Sequence, residues 1–188
     1  WAKPVSDGTL VGKSRGDGSL RGYGIWVGPD YWIFNLRNTT GSDAIRVLSA
    51  TDVTPSNEYR HFVVTYDGSS DTSGVGMYLD GVSDFGTSDT NNLISTTVTD
   101  FPFAIGSRQG GVPAQYIQGD IDEVRIYNYA LTEEEVLDMY TRESGKNRLD
   151  VGLVAYWPFR AGTSTAITDH NPEGTQNNAT LYGSDYDE

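Results

Sequence analysis

One stretch in the second half of the chain combines the period of a strand with that of a helix. Val124 and Ile126 alternate with polar neighbours, which is typical of a half-buried strand. Thr132 and Glu135 have the spacing of a capping box, so we expect a helix near residues 132–143. The apolar positions of that helix form one stripe: Val136, Leu137 and Tyr140.

The rest of the chain consists of short apolar or alternating segments between turn-forming residues, which predicts strands. Asp80-Gly81, between two such segments, predicts a type I′ hairpin turn. Two stretches, Gly12–Gly24 and Thr87–Thr99, are rich in turn-forming or polar residues, and we expect loops there. The main predicted strands cover residues 10–11, 25–27, 31–36, 44–48, 58–66, 75–79, 82–85 and 103–106.

Four sequence motifs occur together and cover most of the chain. They are WAKP at 1–4, HFVVTYDGSS to VGMYLDG at 61–81, GDIDEVRIYNYALTEEEV at 119–136, and GLVAYWPF at 152–159. Together they resemble laminin G-like (concanavalin A-like) jelly-roll domains, whose closing strand and helix match the third motif. The resemblance implies an all-β jelly-roll sandwich of two antiparallel sheets, with one short helix after the closing strand.

The order of these motifs differs from that of the resembled family. GLVAYWPF opens a domain there, but here it follows the closing helix. We therefore expect residues 1–145 to form most of one jelly roll and residues 146–188 to supply displaced opening strands. These strands could complete the same sandwich in cis or a neighbouring copy in trans, or the chain could straddle two tandem repeats. A sandwich without them would expose unpaired edges, so some strands must complete it, and of the alternatives we favour completion in cis.

The charge and composition exclude several classes of function. The formal net charge is −13, from 26 acidic and 13 basic residues, so nucleic acid is not an expected partner. No apolar run is long enough to span a membrane, and we expect no membrane insertion. The absence of cysteine excludes thiolate catalysis and cysteine-ligated zinc, and two histidines argue against a histidine-rich metal centre.

An acidic cluster on the predicted closing strand, Asp120, Asp122 and Glu123, is the candidate for hydrolytic chemistry. The resembled fold includes glycoside hydrolases, whose retaining mechanism needs two carboxyl groups about 5–5.5 Å apart. Strand alternation places Asp120 and Asp122 on one face and Glu123 on the other. The following residues resemble the final strand of those enzymes, not their catalytic strand. We therefore expect no enzyme activity, and a polysaccharide hydrolase or lyase is the third hypothesis.

Calcium is the expected cofactor. The resemblance implies a structural cation held by an aspartate of the closing strand and by oxygens of the opening loop. Carboxylate and amide oxygens are the ligands that calcium prefers. The alternative is that Asp122 caps backbone amides and Asp169 forms an Asx turn. The predicted metal ligands are Asp122, Asp169, Asn171 and Asn178.

Aromatic and planar polar side chains on exposed faces or loops are the candidates for glycan binding. For Trp26 and Trp32, core packing is the favoured alternative. Arg108 and Tyr116 flank a glycine-containing loop and are expected to be exposed. The predicted ligand-binding residues are Trp26, Tyr31, His61, Arg108, Gln115 and Tyr116.

These patterns favour a non-catalytic extracellular module for carbohydrate recognition or adhesion, with a glycan or glycoprotein surface as its partner. The alternative is a structural subunit of a surface layer, fibre or viral appendage that assembles with other copies of itself by strand exchange. Both functions place the protein outside the cell, either secreted or within a larger surface or virion protein. Arg15-Gly16-Asp17 matches an adhesion tripeptide, but we interpret it as a chance occurrence in a turn.

Overall fold

The fold, obtained as a computed structural model, consists mainly of antiparallel strands. The described residues are 1–14, 21–38, 42–53, 57–108, 115–142, 151–159, 166–171, 177 and 179–180, and Arg15-Gly16-Asp17 lies outside them. The elements in chain order are β1 (Ala2–Pro4), β2 (Gly8–Ser14), β3 (Gly22–Val27), β4 (Trp32–Arg37), β5 (Ala44–Ser49), β6 (Phe62–Tyr66), a 3-10 turn (Thr72–Gly74), β7 (Val75–Leu79), β8 (Val82–Ser83), β9 (Phe85–Asn91), β10 (Ala104–Ile105), β11 (Gly119–Ile121), β12 (Val124–Tyr127), α1 (Glu133–Thr141), β13 (Leu153–Trp157), β14 (Ala166–Ile167) and β15 (Ala179–Thr180).

The larger layer is a six-stranded antiparallel sheet with the order β10-β2-β3-β4-β5-β9. Directly opposed residues of antiparallel strands share a face, so the register sorts the side chains into two sets. One set contains Val27 paired with Trp32, and Phe34 paired with Val47, all in the hydrophobic core. The residues that alternate with these along each strand, such as Trp26, Asn35 and Arg46, lie on the opposite face, which is called here the outer face.

The smaller layer covers the core face of that sheet. It contains the sheet β6-β7-β8, and a bridge between Ala2 and Arg60 joins the β1-β11 pair to it. The ring of Trp32 packs edge-on against Phe62 with centroids 5.3 Å apart, and both Trp32 and Met77 are fully buried. Burying one such side chain contributes about 1.5–3 kcal/mol, so this interface is a main source of stability. The predicted sandwich of antiparallel sheets with one short helix is confirmed for the described residues.

The predicted helix forms, and its first turn is closed by the predicted capping box. The Thr132 side chain accepts a hydrogen bond from the Glu135 backbone N–H, and Glu135 accepts one from Thr132 N at 2.8 Å. Val136, a residue of the helix, is fully buried. Tyr140 lies against Gly81, which has a φ of 79° at the tip of the β7–β8 hairpin. A Cβ at Gly81 would lie 2.9 Å from the Cβ of Tyr140, so a glycine serves both the turn and this contact.

The segment after the helix returns to the closing strand of the same chain. Strand β13 pairs antiparallel with β12, with Val124 opposite Trp157. The carboxylate of Glu123 accepts hydrogen bonds from the Tyr156 hydroxyl at 2.6 and 2.8 Å and forms an ion pair with Arg125. These contacts hold β13 on β12, while the division into residues 1–145 and 146–188 stays a prediction.

Two predicted loops are partly strands. Gly12–Ser14 belongs to β2 and Gly22–Gly24 to β3, where Gly12 is paired with Gly24. Residues Phe85–Asn91 form β9 at the edge of the sheet, although the sequence predicted a surface connection from Thr87 onward. Both predictions were wrong at these residues because backbone pairing holds the segments in the sheet, although the first is rich in glycine and most residues of β9 are exposed. No helix in the described residues is long and apolar enough to cross a membrane.

Candidate functional site

An open groove of about 170 Å³ lies on the outer face of the six-stranded sheet. Neighbouring positions of three consecutive strands contribute to it. Trp26 of β3 is opposite Ile33 of β4, and Asn35 of β4 is opposite Arg46 of β5. The side chains that define its walls and rim are Trp26, Asn35, Arg37, Arg46, Arg108 and Gln115.

Glycines form the floor of the groove. Gly22 and Gly24 lie on the outer face of β3, where they leave backbone instead of side chain. Gly22 has a φ of 125°, and a Cβ there would lie 1.8 Å from the carbonyl oxygen of Lys13. No other residue fits at Gly22 without moving β2 away from β3, so the hollow is built into the strand pairing.

The two tryptophans of the first hairpin lie on opposite sides of the sheet. Trp26 is half-buried and forms the aromatic wall of the groove. Trp32 is fully buried in the core, and its Nε1 donates to Asp84 Oδ2 at 2.7 Å. The core interpretation therefore holds for Trp32, whereas Trp26 presents a partly exposed indole to a ligand. Gly28 makes room for that indole, since a Cβ there would lie 2.8 Å from the ring.

The groove is positively charged, in contrast to the whole chain. Arg37 donates from Nε and Nη2 to the Asn35 side-chain oxygen at 3.2 and 3.0 Å, and Arg46 forms an ion pair with Asp89 on β9. Burial lowers the pKa of Arg37 below its ordinary value, and the positive charge of Arg46 lowers it further. Arg108 Nε is buried and has no hydrogen-bond partner in the described part of the chain. Among the described residues that line the groove, none is Asp or Glu.

The structure brings three of the predicted ligand-binding residues together and places the other three elsewhere. Trp26, Arg108 and Gln115 line the groove. Tyr31 lies in the β3–β4 turn, where its carbonyl accepts a hydrogen bond from Gly28 N at 2.9 Å. Tyr116 is 55% exposed next to Gln115 but does not line the groove.

His61 is buried away from the groove, with only 4% of its surface exposed. Its ring packs against Trp1 and Tyr140, with centroid distances of 4.9 and 5.9 Å. Burial lowers the pKa of His61 from 6.5 to about 4, and nearby positive charge that includes Arg125 acts in the same direction. A neutral, enclosed imidazole of this kind supports the fold and has no open side to offer a ligand.

Asn35, Arg37 and Arg46 line the groove but were not among the predicted site residues. The sequence carries a signal for two of them, because Asn35 and Arg46 alternate with apolar residues in predicted strands, whereas Arg37 directly follows the strand predicted over 31–36. Such polar positions mark the face of a strand that does not contact the core. Only the pairing of β3, β4 and β5 shows that Asn35, Arg37 and Arg46 lie on the same face as Trp26.

The residues predicted to bind calcium fit a cation poorly. Both oxygens of Asp169, which is fully buried, already accept hydrogen bonds from nitrogen. Oδ1 accepts from Tyr156 N at 2.8 Å and Asn171 N at 2.9 Å, and Oδ2 accepts from Asn177 N at 2.9 Å and Asn177 Nδ2 at 3.1 Å. Four N–H donors leave little of the carboxylate for a metal, which needs several open oxygen ligands.

Two of the remaining predicted metal ligands also form hydrogen bonds within the protein. Asp122 Oδ1 accepts a hydrogen bond from Glu123 N at 2.7 Å, and Asn171 Nδ2 donates to the Val154 carbonyl at 2.7 Å. Asn178 lies outside the described residues. In the described part of the chain, no group of three or more His, Cys, Asp or Glu residues could hold a metal ion.

The acidic cluster of the closing strand is divided among separate partners. Asp120 forms an exposed ion pair with Lys3 at 2.9 Å. Glu123, with a φ of 55°, interrupts the strand and directs its carboxylate to Arg125 and Tyr156. None of these carboxylates lines the groove.

The sandwich and its open groove on one sheet define the architecture of a jelly-roll domain. The chain belongs to the concanavalin A-like lectin/glucanases superfamily, whose laminin G model matches residues 1–137. The family resemblance drawn from the four motifs is thereby confirmed.

A solved structure of similar fold is that of a protein from Bacteroides ovatus, provisionally described as carbohydrate-binding. The TM-score is 0.56 at 19% sequence identity, and the match covers 96% of this chain. The chain spans about half the length of that protein, 51%. Among curated proteins, none matches this sequence.

Proposed function

We propose that this chain is a non-catalytic carbohydrate-recognition module that binds a glycan in the groove beside Trp26. The observation that carries the proposal is a half-buried indole above a glycine floor, next to planar polar side chains. An indole face packs against the C–H face of a sugar ring, and amide and guanidinium groups hydrogen-bond its oxygens. A groove open at the surface suits a segment of a longer glycan.

The comparisons support this proposal at the level of fold. The superfamily includes lectins by name, and the Bacteroides ovatus protein of similar fold is provisionally described as carbohydrate-binding. Because the chain covers about half of that protein, we propose a binding role for this region alone.

One feature of the groove argues for recognition without hydrolysis. The superfamily also includes glucanases, and retaining glycoside hydrolysis requires two carboxyl groups on either side of the scissile bond. The groove has no such pair among its described residues. An adhesive role on an extracellular surface belongs to the proposal, while calcium stabilisation stays a prediction that an Asp169 variant tests below.

Replacing Trp26 with alanine tests the proposal. We expect Trp26→Ala to weaken glycan binding at least tenfold, about the cost of removing a central aromatic anchor. The measurement is calorimetric titration with the glycan that the wild-type chain selects on an array. Tyr116→Ala is the matched control, because it removes an exposed aromatic residue outside the groove.

Two results would argue against this function. Equal losses in both variants would place the ligand elsewhere. Turnover of a polysaccharide by the wild-type chain would show an enzyme instead of a binding module.

The alternative of assembly by strand exchange makes a different prediction. Since β13 pairs with β12 of its own chain, we expect a monomer of 20.6 kDa in solution. Light scattering during size-exclusion chromatography over a range of concentrations measures this mass. Polymers whose subunits exchange β13 would favour the structural role.

A further inference from the structure

We propose that the groove selects glycans that carry an anionic group, a carboxylate or a sulfate ester, over their neutral counterparts. This inference rests on the proposed function and adds the chemical class of the ligand. It comes from three arginines, Arg37, Arg46 and Arg108, that converge on one groove of an acidic protein.

The arginines come from different elements that border the same groove. Arg37 and Arg46 lie on neighbouring strands, where Arg46 is opposite Asn35, two residues before Arg37. Arg108 comes from the segment after β10, which is the edge strand on the far side of β2 and β3. The positive charge of Arg46 helps to lower the pKa of Arg37, which is consistent with two guanidinium groups on neighbouring strands that repel each other. An anion between them would relieve that repulsion.

The protein neutralises this charge only in part. Asp89 forms an ion pair with Arg46 from the sheet edge, and its side chain is 42% exposed. Arg37 is held by the neutral side-chain oxygen of Asn35. No described acidic residue forms an ion pair with Arg37 or Arg108. The groove therefore retains an excess of positive charge in a chain whose formal net charge is −13.

The arginines also keep hydrogen-bond donors for a ligand. A guanidinium has five N–H donors in a planar fork that matches carboxylate and sulfate oxygens. Arg37 uses Nε and Nη2 for Asn35, and Arg46 uses Nη1 for Asp89. Arg108 forms no ion pair with a described residue, and its buried Nε has no hydrogen-bond partner among them, so its guanidinium is the least engaged of the three.

The acidic surface determines which probes are suitable. A long polyanion would be repelled by the net charge of the chain, so short oligosaccharides isolate the effect of the groove. The members of each matched pair have equal length and linkage and differ only at C6 of each sugar unit, which is a carboxylate in one and a hydroxymethyl group in the other. The pairs are oligogalacturonate and oligogalactan, oligomannuronate and oligomannan, and oligoglucuronate and oligoglucan. Sulfated forms of the neutral members distinguish a sulfate ester from a carboxylate.

We expect at least one acidic member to bind about tenfold more tightly than its neutral counterpart at low salt, and the difference to shrink as salt is added. Arg108→Gln should abolish most of that preference, and Arg108→Lys should restore part of it. Arg108 makes no ion pair with a described residue, so its substitution leaves no described acid unpaired. Arg142→Gln is the matched control, because it removes one exposed arginine on the helix side of the molecule.

The outcomes separate this inference from the proposed function. Selective binding of the carboxylate or of the sulfated members supports the inference and identifies the group. Binding of neutral members with equal affinity, lost in Trp26→Ala but unchanged in Arg108→Gln, would overturn the inference and leave the glycan-binding function in place. If no oligosaccharide and no array glycan binds, both fail. An equal loss of preference in Arg142→Gln would also overturn the inference, since net charge and not the groove would then be responsible.

Discussion

His61 packs in one aromatic cluster with Trp1 and Tyr140, and its Nδ1 is buried without a hydrogen-bond partner in the described residues. The folded state therefore favours the neutral imidazole, and the pKa of His61 is lowered to about 4 from 6.5. In the unfolded chain the imidazole regains its ordinary pKa. Between pH 6.5 and 4 the unfolded state binds more protons than the folded state, so acid destabilises the fold in this window.

We predict that His61→Phe removes this pH dependence while it keeps an aromatic ring in the cluster with Trp1 and Tyr140. The wild-type chain should lose roughly 3 kcal/mol of unfolding free energy between pH 6.5 and 4, and the variant should lose clearly less. Urea unfolding at several pH values measures both slopes. His170→Phe, which changes the exposed histidine, should retain the wild-type slope. If the unfolding free energies of wild type and His61→Phe fell equally with pH, His61 would not be the cause of the acid destabilisation.

At the same scale, Trp26 and Trp32 show what the sequence could not determine. Both lie in apolar strands of one hairpin, and both are compatible with a core. Pairing of Val27 with Trp32 and of Trp26 with Ile33 assigns them to opposite faces. Which face is covered depends on β6 and β7, which follow much later in the chain.

At the scale of elements, the Asp169 carboxylate fixes the loop that follows β13. It accepts backbone hydrogen bonds from Tyr156 within β13 and from Asn171 and Asn177 in the loop. Burial alone would raise the pKa of Asp169, but these hydrogen bonds outweigh it and hold the pKa below 3.8. Their stabilisation is therefore present at neutral pH and is lost as the pH falls through that lowered pKa.

We predict that Asp169→Asn lowers the unfolding free energy by about 2 kcal/mol, because an amide nitrogen replaces one acceptor and leaves buried donors unpaired. The loss should be equal in excess calcium and in EDTA. Chemical denaturation under both conditions measures it, with Asp120→Asn as the control for an exposed carboxylate. A loss that occurs only in calcium would instead support the predicted calcium site.

The helix and β9 mark the limits of prediction at this scale. Helix α1 was predictable because its capping box and apolar stripe are local signals within one segment. Strand β9 has no apolar alternation, since most of its residues are exposed at a sheet edge. Its formation depends on backbone hydrogen bonds to β5, and the side-chain pattern of β9 does not predict them.

At the scale of the molecule, the sandwich was predictable and the groove was not. The WAKP and closing-strand motifs identified the fold, and the alternation of apolar residues placed most strands. The groove forms only when Gly22, Asn35, Arg46 and Arg108 are brought together from separate elements. Its shape depends on glycines that the sequence pattern assigned to a loop. The functional surface is thus a property of strand order and register, which a single sequence does not display.

Nuclear magnetic resonance of the isotope-labelled chain during glycan titration tests the groove most directly. The four tryptophans provide an internal comparison through their indole N–H signals. Trp32 and Trp157 bind their own acceptors, Asp84 and Asn177, and should not shift. We predict that the Trp26 indole and the side chains of Asn35 and Arg37 shift together and saturate with the binding curve. Saturating shifts at the Trp1 indole, with Trp26 unchanged, would contradict a glycan site in this groove.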